Sequence, residues 1–286
     1  MRTALITIAA RRIGHLRNQI EAVALSDRVP DEYIVVAMND AGVLDAVRDG
    51  PARGIWLPTR PPLPLAAARN LGARAALRHD AELLIFLDVD CMPDHHTVER
   101  YHDVCAADPD ADALLCGPVT YLPPPPSAGY DVRTLPQRRD PHPARPAPQD
   151  DQVLPGGDHN LFWSLSFAVP ARTWCRTGGF DTRYRGYGAE DTDFAYRAAH
   201  AGIDLRWVGG AHAYHQHHPI SDPPTEHLAD IVSNARIFFR RWGFWPMRGW
   251  LDEFTRLGLL EWVGGARGWM PVGERQPQHG SAGRCV

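Results

Sequence analysis

Short apolar runs alternate with amphipathic segments along the first 120 residues of this 286-residue chain. In the amphipathic segments, apolar residues recur every three or four positions, which is typical of helices that bury one face. The runs themselves are continuously apolar, as expected for strands buried on both faces of a parallel sheet. This order predicts an α/β fold with a mostly parallel, doubly wound sheet flanked by helices. The predicted strands are Ala4–Ile8, Tyr33–Met38, Gly54–Leu57 and Leu83–Leu87, and the predicted helices are Ile13–Leu25, Val43–Arg48 and Leu65–Leu77.

Two aspartates, Asp88 and Asp90, follow the apolar run Leu83–Leu87. Residues i and i+2 of an extended chain point to the same side, so the two carboxylates are expected to converge at the carboxyl end of a strand. Open α/β sheets bind ligands at that edge, which also includes Ala9–Arg12 and Asn39-Asp40. Converging carboxylates repel each other unless a cation is present, and Mg²⁺ or Mn²⁺ suits an oxygen site. The pair predicts a divalent metal site; the alternative is that one aspartate caps a helix beginning near Asp94.

A glycine-rich stretch, Gly178-Gly179-Phe180-Asp181, leads towards a second acidic group. Glu190 and Asp191 fall in the first turn of a predicted helix, Asp191–Ala201, where the helix dipole and free N–H groups favour ionised carboxylates. An ionised carboxylate beside a reaction centre is a candidate general base. The alternative is an ordinary helix start with acidic residues.

Four histidines fall within seven residues, at His212, His215, His217 and His218. Imidazole is a frequent ligand of Mn²⁺ and other transition metals. The run therefore indicates either metal ligands or a solvated surface cluster.

Composition excludes several classes of protein. All 30 basic residues are arginine, so neither Schiff-base chemistry by lysine nor a P-loop is possible. The net charge of −4 argues against a nucleic-acid partner. Five scattered cysteines without a CxxC pair argue against a disulfide framework or a thiolate zinc site. The first residues lack the apolar region of a signal peptide, and no apolar stretch approaches the ~20 residues that span a bilayer, so a cytoplasmic location is expected.

Proline divides the chain. Ten of its 26 prolines lie between Pro123 and Pro155, a segment that can form neither a regular helix nor a central strand. We interpret residues 123–157 as a mobile loop within one domain, with a linker between two domains as the alternative. Helical patterns return at Glu226–Trp242 and Trp250–Val263. The predicted organisation is a main domain over 1–220, a C-terminal helical extension over 221–272 and a flexible tail over 273–286.

The stretch Ala67–Ala76, followed by Phe86–Asp90, resembles family 2 glycosyltransferases of the GT-A fold. The later stretch from Gly178 to Asp191 resembles the C-terminal galactosyltransferase region shared by β-galactosyltransferases and chondroitin-type polymerases. Together the likeness runs from Thr3 to about Pro219. It implies an inverting, metal-dependent hexosyltransferase that uses a nucleotide diphosphate sugar, with UDP and galactose favoured, and a hydroxyl acceptor.

The resemblance also implies roles for individual residues. Asp90 would hold Mn²⁺ or Mg²⁺, Asp88 would face the ribose and share the metal, and His215 would be a further ligand, with His217 or His218 in reserve. Asp191 would be the catalytic base, and Glu190 would hydrogen-bond donor or acceptor sugar. The residues lining the nucleotide would be Ala9, Arg11, Asp40, Arg69, Asn70 and Asp88, and those on the acceptor side Trp163, Tyr187 and Gly188.

Several aromatic residues have two interpretations. Trp163, Trp174 and Tyr187 either stack on sugar faces or pack in the core. The cationic and aromatic segment 236–250 either contacts an anionic membrane that presents a lipid-linked acceptor, or packs on the domain or a second subunit. Glycan and small-molecule acceptors are equally compatible with the sequence.

Three other classes compete with a glycosyltransferase. A non-catalytic nucleotide-sugar or carbohydrate-binding protein on the same fold would not need Asp191. A sugar nucleotidyltransferase usually carries a glycine-rich, lysine-containing N-terminal loop, and this chain has only Gly14 near that position. A histidine-rich metallohydrolase would need further ligands, and neither HExxH nor HxHxDH is present.

Overall fold

The computed structural model describes residues 1–219 and 221–273. The strands are β1 (Thr3–Ala9), β2 (Glu32–Met38), β3 (Ala52–Leu57), β4 (Leu83–Leu87), β5 (Cys91–Pro93), β6 (Ala113–Cys116), β7 (Val119–Tyr121), β8 (Val153–Pro155), β9 (Ser166–Pro170), β10 (Asp204–Val208), β11 (Ala213–His215), β12 (Leu260–Trp262) and β13 (Trp269–Pro271). The α-helices are α1 (Ile13–Ala24), α2 (Ala41–Val47), α3 (Leu65–Leu77), α4 (Thr97–Ala107), α5 (Ala171–Thr177), α6 (Glu190–His200), α7 (Leu228–Trp242) and α8 (Arg248–Arg256). Short 3₁₀ helices lie at Val132–Arg138, His159–Leu161, Thr225–His227 and Gly265–Arg267.

Within these residues, eight strands form one large sheet in the order β3-β2-β1-β4-β9-β6-β10-β8. β1, β2, β3 and β4 are parallel, and β10 is parallel to β6. Only β9 and the edge strand β8 run antiparallel to their neighbours in this sheet. The predicted α/β fold with a mostly parallel sheet is confirmed, and all four predicted strands and three predicted helices of the first 120 residues are present.

Helices cover both faces of the sheet, because alternate residues of each strand point to opposite sides. On one face Ile6, Val36 and Phe86 pack against α3, α5 and α6, and on the other Leu5, Val35 and Ile85 pack against α1, α2 and α4. Gly72 lets α3 lie directly on β1, since a Cβ at this position would clash with the Ile6 side chain. The helices cover the faces of the sheet and not the carboxyl ends of its parallel strands, where the candidate site lies.

A small sheet, β5-β11-β7, stands beside the carboxyl edge of the large one. β11 runs antiparallel to β5, with His215 opposite Cys91. Because Cys91 follows Asp90 directly, this register brings the histidine run to the aspartates that follow β4.

The proline-rich segment 123–157 packs on the domain. It contains the 3₁₀ helix Val132–Arg138 and the edge strand β8, in agreement with the prediction that it forms neither a regular helix nor a central strand. Val132 and Leu135 are buried against Met92 and Tyr214. The mobility of the segment stays a prediction.

The C-terminal extension differs in part from its prediction. The apolar spacing predicts a helix over Trp250–Val263, but α8 ends at Arg256 and the chain then forms the hairpin β12-β13. Gly258 has φ +72°, a left-handed conformation that stops the helix. The apolar spacing of Leu257–Val263 belongs to a strand rather than to a continued helix.

The extension is fixed to α6 by a buried ion pair. Both oxygens of Asp193 accept hydrogen bonds from Arg241 Nη1 at 2.7 Å, and Asp193 is fully buried. In the segment 236–250, Phe239 stacks on Trp245, whose ring also contacts Trp269. Phe238 and Trp242 pack on Tyr196 of α6, so most of the aromatic surface of the segment is packed within the extension or on α6.

Among the described residues, no helix is long and apolar enough to cross a membrane. Four of the five cysteines, Cys91, Cys105, Cys116 and Cys175, are free thiols, and Cys285 lies outside the described residues. The predicted tail, except for Gly273, also lies outside them. The domain boundaries at residues 220 and 272 stay predictions.

Candidate active site

The turn after β4 places Asp88 and Asp90 at the carboxyl edge of the sheet. The N–H of Cys91 donates to the Asp88 carbonyl at 2.8 Å, which turns the chain into β5. Because residues 88–90 form a turn rather than an extended strand, the two carboxylates contact different partners. Neither caps a helix near Asp94, since α4 begins at Thr97 with His96 as its N-cap.

Buried Gln19 on α1 holds this turn in place. Its amide nitrogen donates to the carbonyl oxygens of Asp88 (2.8 Å) and Cys91 (2.7 Å). The Tyr33 hydroxyl donates to the Gln19 amide oxygen at 2.6 Å and fixes its orientation. Gln19 was not predicted, and its signal in the sequence is a polar residue on the apolar face of an amphipathic helix.

Asp90 lies between two histidines. Its Oδ1 is 3.6 Å from His215 Nε2, and its Oδ2 is 3.5 Å from His218 Nε2. The three side chains offer one ligand atom each, all within 4.8 Å of one another. Carboxylate and imidazole donors at this spacing fit a transition-metal ion.

The protonation states at this group suit metal binding. Burial raises the pKa of Asp90, but the hydrogen bond from His218 and the charges of His215 and Arg12 outweigh it and bring the pKa to about 2. Burial lowers the pKa of His215. An ionised carboxylate and a neutral imidazole are the forms that ligate a metal.

The other two histidines of the run lie apart from Asp90. His217 is exposed, and its backbone N–H donates to the Tyr130 hydroxyl at 3.1 Å. His212 is buried with its Nε2 2.8 Å from Thr120 Oγ1, and burial together with Arg139 lowers its pKa to about 4. Of the two reserve candidates, the structure brings His218 and not His217 to the aspartate.

Arg69 connects the two acidic groups. From α3 it donates through Nη2 to Asp88 Oδ1 (2.9 Å) and through Nη1 to Glu190 Oε1 (3.1 Å). Only 3 % of Arg69 is exposed, so this bridge is buried. The nucleotide-lining role of Arg69 stays a prediction. Burial raises the pKa of Asp88, and the neighbouring guanidinium opposes that rise.

Glu190 and Asp191 begin α6 after a left-handed turn at Gly188 and Ala189. Burial and the nearby Asp191 charge raise the pKa of Glu190 to about 7, and burial raises the pKa of Asp191. The expectation that the helix start favours the ionised forms is wrong, since desolvation outweighs the helix dipole. Glu190 Oε2 is buried without a hydrogen-bond partner among the described residues, whereas Asp191 Oδ1 accepts from the Thr192 N–H at 2.7 Å.

Three of the residues predicted to line a nucleotide, Ala9, Arg11 and Asp40, differ in burial and in hydrogen bonding. Ala9 packs in the core, so only its backbone can face a ligand. Arg11 is exposed, and its N–H donates to Asp40 Oδ2 at 2.6 Å, while Asp40 Oδ1 caps α2 by accepting from Val43 N–H at 3.3 Å. Asp40 and Arg11 therefore lie together at the ends of β2 and β1.

Asn70 has a different role from the predicted one. Its amide nitrogen donates to the Phe180 carbonyl at 2.8 Å, and its amide oxygen accepts from the Phe180 N–H at 2.9 Å. A Cβ on Gly179 would lie 2.7 Å from the Asn70 oxygen, which explains the glycine there. Asn70 therefore fixes the glycine-rich turn to α3 through both ends of its side-chain amide.

Two of the predicted acceptor-side residues, Tyr187 and Gly188, shortly precede α6, and the third, Trp163, contacts the proline-rich segment. The Tyr187 ring stacks on His227 with centroids 4.7 Å apart, and Gly188 packs on Met247. Trp163 lies over the guanidinium of buried Arg145 at 5.0 Å. Trp174, in contrast, is a core residue stacked on Phe86 at 4.9 Å.

Tyr121 is an aromatic residue of the site for which the sequence gives little signal. Its ring stacks on His215 with centroids 4.5 Å apart, and 49 % of the residue is exposed. The signal for it is weak, because Tyr121 lies near the end of a short apolar run, with Leu122 between it and four prolines.

The architecture is the GT-A fold of glycosyltransferases, and comparison with solved structures shows this. The structure of S. aureus TarS 1–349 in complex with UDP-GlcNAc matches with a TM-score of 0.58 at 13 % identity, covering 88 % of this chain and 76 % of that one. The structure of GalNAc-T7 with UDP, GalNAc and Mn²⁺ matches with a TM-score of 0.54 at 14 % identity, covering 83 % and 47 %.

Sequence comparison adds a likeness at the level of family. Residues 158–219, which contain the glycine-rich turn, α6 and the histidine run, match a family model described as the N-terminal domain of galactosyltransferase. The chain is 29 % identical over 232 residues to validoxylamine A glucosyltransferase of Streptomyces hygroscopicus subsp. jinggangensis (strain 5008), covering 71 % of this chain and 53 % of the relative. It is 29 % identical over 187 residues to chondroitin synthase of Escherichia coli, covering 58 % and 26 %.

The predicted resemblance to GT-A glycosyltransferases with a galactosyltransferase-type region is thus confirmed. The chain spans about half the length of the first of these relatives and about a quarter of the second.

Proposed function

We propose that this chain is an inverting glycosyltransferase of family 2 type that moves a hexose from a nucleoside diphosphate sugar to a hydroxyl acceptor. The main supporting observation is that Asp90 with its two histidines lies at the same sheet edge as Asp88, which Arg69 bridges to Glu190 of the Glu190-Asp191 pair. UDP is the favoured carrier, since the TarS and GalNAc-T7 structures contain UDP-GlcNAc and UDP. A galactose-type hexose is favoured by the family model that matches residues 158–219.

Asp90, His215 and His218 would hold the divalent metal, with Asp88 able to share it. The donor set fits, because one ionised carboxylate and two imidazoles lie within bonding reach of a common centre. Imidazole donors favour Mn²⁺ over Mg²⁺, and the GalNAc-T7 structure contains Mn²⁺. When bound, the ion would supply positive charge that stabilises the departing diphosphate.

Asp191 is proposed as the general base. Its raised pKa brings the carboxyl closer to neutral pH, where a base works well. The acceptor oxygen bonds to the anomeric carbon as the bond from that carbon to the diphosphate oxygen breaks, and the hydroxyl proton passes to Asp191. One displacement inverts the anomeric configuration. A diphosphate leaves without protonation, so no acid partner of the glycosidase kind is required.

Glu190 is proposed to bind a sugar hydroxyl. Its Oε1 is engaged by Arg69, while its buried Oε2 is free to accept a hydrogen bond. An unpaired buried acceptor costs free energy that a sugar O–H would recover on binding. In this proposal the donor or acceptor sugar would lie next to Asp191.

The remaining contacts with the nucleotide and the acceptor would come from residues around these two acidic groups. The backbone of Ala9 with Arg11 and Asp40 would line the nucleotide, and Trp163, Tyr187 and Gly188 would face the acceptor. The acceptor would be a glycan, a lipid-linked sugar or a small hydroxyl compound. No nucleic-acid partner is proposed. The packing gives little support to a membrane contact through 236–250, because Phe244, which is 41 % exposed, is the main aromatic side chain that the segment presents to solvent.

Calorimetric titration of UDP and GDP, with and without Mn²⁺, tests the nucleotide and metal site. The wild type is compared with Asp90→Ala and with Asp110→Ala, whose carboxylate is fully exposed. We expect UDP binding that requires Mn²⁺, is lost in Asp90→Ala and is retained in Asp110→Ala. Absence of binding by either nucleotide under every metal condition would remove the support for a transferase.

A further inference from the structure

A second group of metal-binding residue types lies at the other end of β5. Asp27 follows α1, His95 and His96 precede α4, and each offers one ligand atom within 4.8 Å of the other two. Asp90 directly precedes β5, whereas Asp94 directly follows it. The second group is therefore separate from the candidate active site.

Backbone and side-chain contacts already bring the three residues together. The Asp27 N–H donates to the His95 carbonyl at 3.0 Å, which joins the two chain segments. His96 Nδ1 is 2.7 Å from Asp27 Oδ2, and the two imidazole centroids are 3.9 Å apart. A tetrahedral ion with bonds of about 2.0 Å needs donor atoms roughly 3.3 Å apart, so a small outward shift of the side chains is enough.

A carboxylate behind one imidazole orients it for binding. His95 Nδ1 is 3.0 Å from Asp94 Oδ1, and the Asp94 side chain is fully buried. Asp94 is itself fixed by the Tyr214 hydroxyl at 2.7 Å and by Arg139 Nη2 at 3.0 Å. This carboxylate–histidine arrangement orients the ring and leaves Nε2 of His95 as the free ligand atom, as in many metal centres.

The group is open to solvent. The side chains of Asp27, His95 and His96 are 46 %, 38 % and 42 % exposed, so an ion can enter without rearrangement of the fold. A cavity of about 290 Å³, lined in part by Asp27, Asp94 and His95, lies beside it. Glu99 Oε2, 3.5 Å from His96 Nδ1, is within reach as a fourth donor in place of water.

We propose that Asp27, His95 and His96 bind a transition-metal ion of the zinc class, which ties the end of α1 to the start of α4. Two imidazoles and one carboxylate form a donor set that Zn²⁺ accepts, whereas Mg²⁺ and Ca²⁺ prefer oxygen alone. The site is structural, since the ion would cross-link two elements that otherwise meet through a single backbone hydrogen bond and side-chain contacts.

Zinc titration of the full chain tests this site in an Asp90→Asn background, which removes the carboxylate of the first group. After treatment with EDTA and desalting, calorimetry with ZnCl₂ is expected to show one equivalent bound. Adding His95→Ala and His96→Ala, or the shape-conserving Asp27→Asn, should weaken that binding at least tenfold. His102→Ala, on α4, is the matched control and should bind Zn²⁺ as the background protein does.

Thermal unfolding gives an independent readout. Zn²⁺ should raise the Tm of the background and of its His102→Ala variant, and leave the Tm of the His95→Ala, His96→Ala variant unchanged. A background protein that takes up no Zn²⁺ would overturn the proposal, and so would equal Zn²⁺ affinity with and without the two histidines. Neither result depends on UDP binding, so the proposed transferase function would be unaffected.

Discussion

Replacing Glu190 with glutamine should make the protein more stable at alkaline pH while it impairs transfer. Glu190 is 6 % exposed and has one hydrogen-bonded oxygen, so its negative charge is poorly solvated. Glutamine keeps the size of the side chain and removes that charge. The residue would then show the conflict between stability and function that is expected of groups placed for chemistry.

The size of the effect follows from the pKa of Glu190, which burial raises from an ordinary 4.5 to about 7. The folded protein then holds this proton more tightly than the unfolded chain, so stability falls as pH rises between these two values. At about 1.4 kcal/mol for each pKa unit, the full penalty above pH 7 is about 3 kcal/mol. Below pH 4.5 both states are protonated and the penalty vanishes.

Urea unfolding of wild type and Glu190→Gln at pH 5 and pH 8 measures this difference. We expect Glu190→Gln to gain up to about 3 kcal/mol at pH 8 and much less at pH 5. Glu21→Gln, an exposed carboxyl on α1, is the control and should show no such dependence on pH. A Glu190→Gln protein that is less stable than wild type at pH 8, or shifted equally at both pH values, would refute the reasoning.

Three further changes test particular contacts. His218→Ala should weaken Mn²⁺-dependent UDP binding about tenfold or more in calorimetry. The control is His217→Ala, at the adjacent exposed histidine, which should leave that binding unchanged. Equal effects of the two substitutions would contradict the assignment of His218 as a metal ligand. Arg241→Met should lower the free energy of unfolding in urea by about 3 kcal/mol, because it leaves a fully buried carboxylate with one cation fewer; a loss below roughly 1 kcal/mol would argue against that ion pair. Asn70→Ala should lower the free energy of unfolding by about 1–3 kcal/mol in the same assay, since it leaves two backbone groups of Phe180 unpaired. The folded variant should bind UDP as wild type does. A selective loss of UDP binding would show instead that Asn70 contacts the nucleotide.

The first half of the fold was predictable because its signals are local. Strands buried on both faces read as continuous apolar runs, and the helices between them show one buried stripe. The C-terminal extension was harder, because Trp250 to Val263 keeps a helix-like apolar spacing across Gly258. A single left-handed glycine ends the helix there, and the spacing then fits a hairpin equally well.

Residue types pointed to the candidate site, but its pairings needed the structure. Asp88 and Asp90 were placed at the correct sheet edge, yet the turn between them separates their partners. Arg69 and Glu190 are 121 positions apart, so no local pattern can distinguish a buried bridge from a ligand contact. The choice of His218 over His217 likewise depends on where the chain leaves β11 after His215, which spacing alone does not show.

The most direct test of the central claim is an assay of sugar transfer by wild type and Asp191→Asn. UDP release from UDP-hexoses would be followed with Mn²⁺ across a panel of hydroxyl acceptors, with mass spectrometry of the products. We predict Mn²⁺-dependent transfer by the wild type, and a fall in kcat of about 10²–10⁴-fold in a variant that still binds UDP. Tight binding of UDP-sugars by both proteins, with no transfer by either, would contradict the account and identify a non-catalytic sugar-nucleotide-binding protein on the GT-A fold.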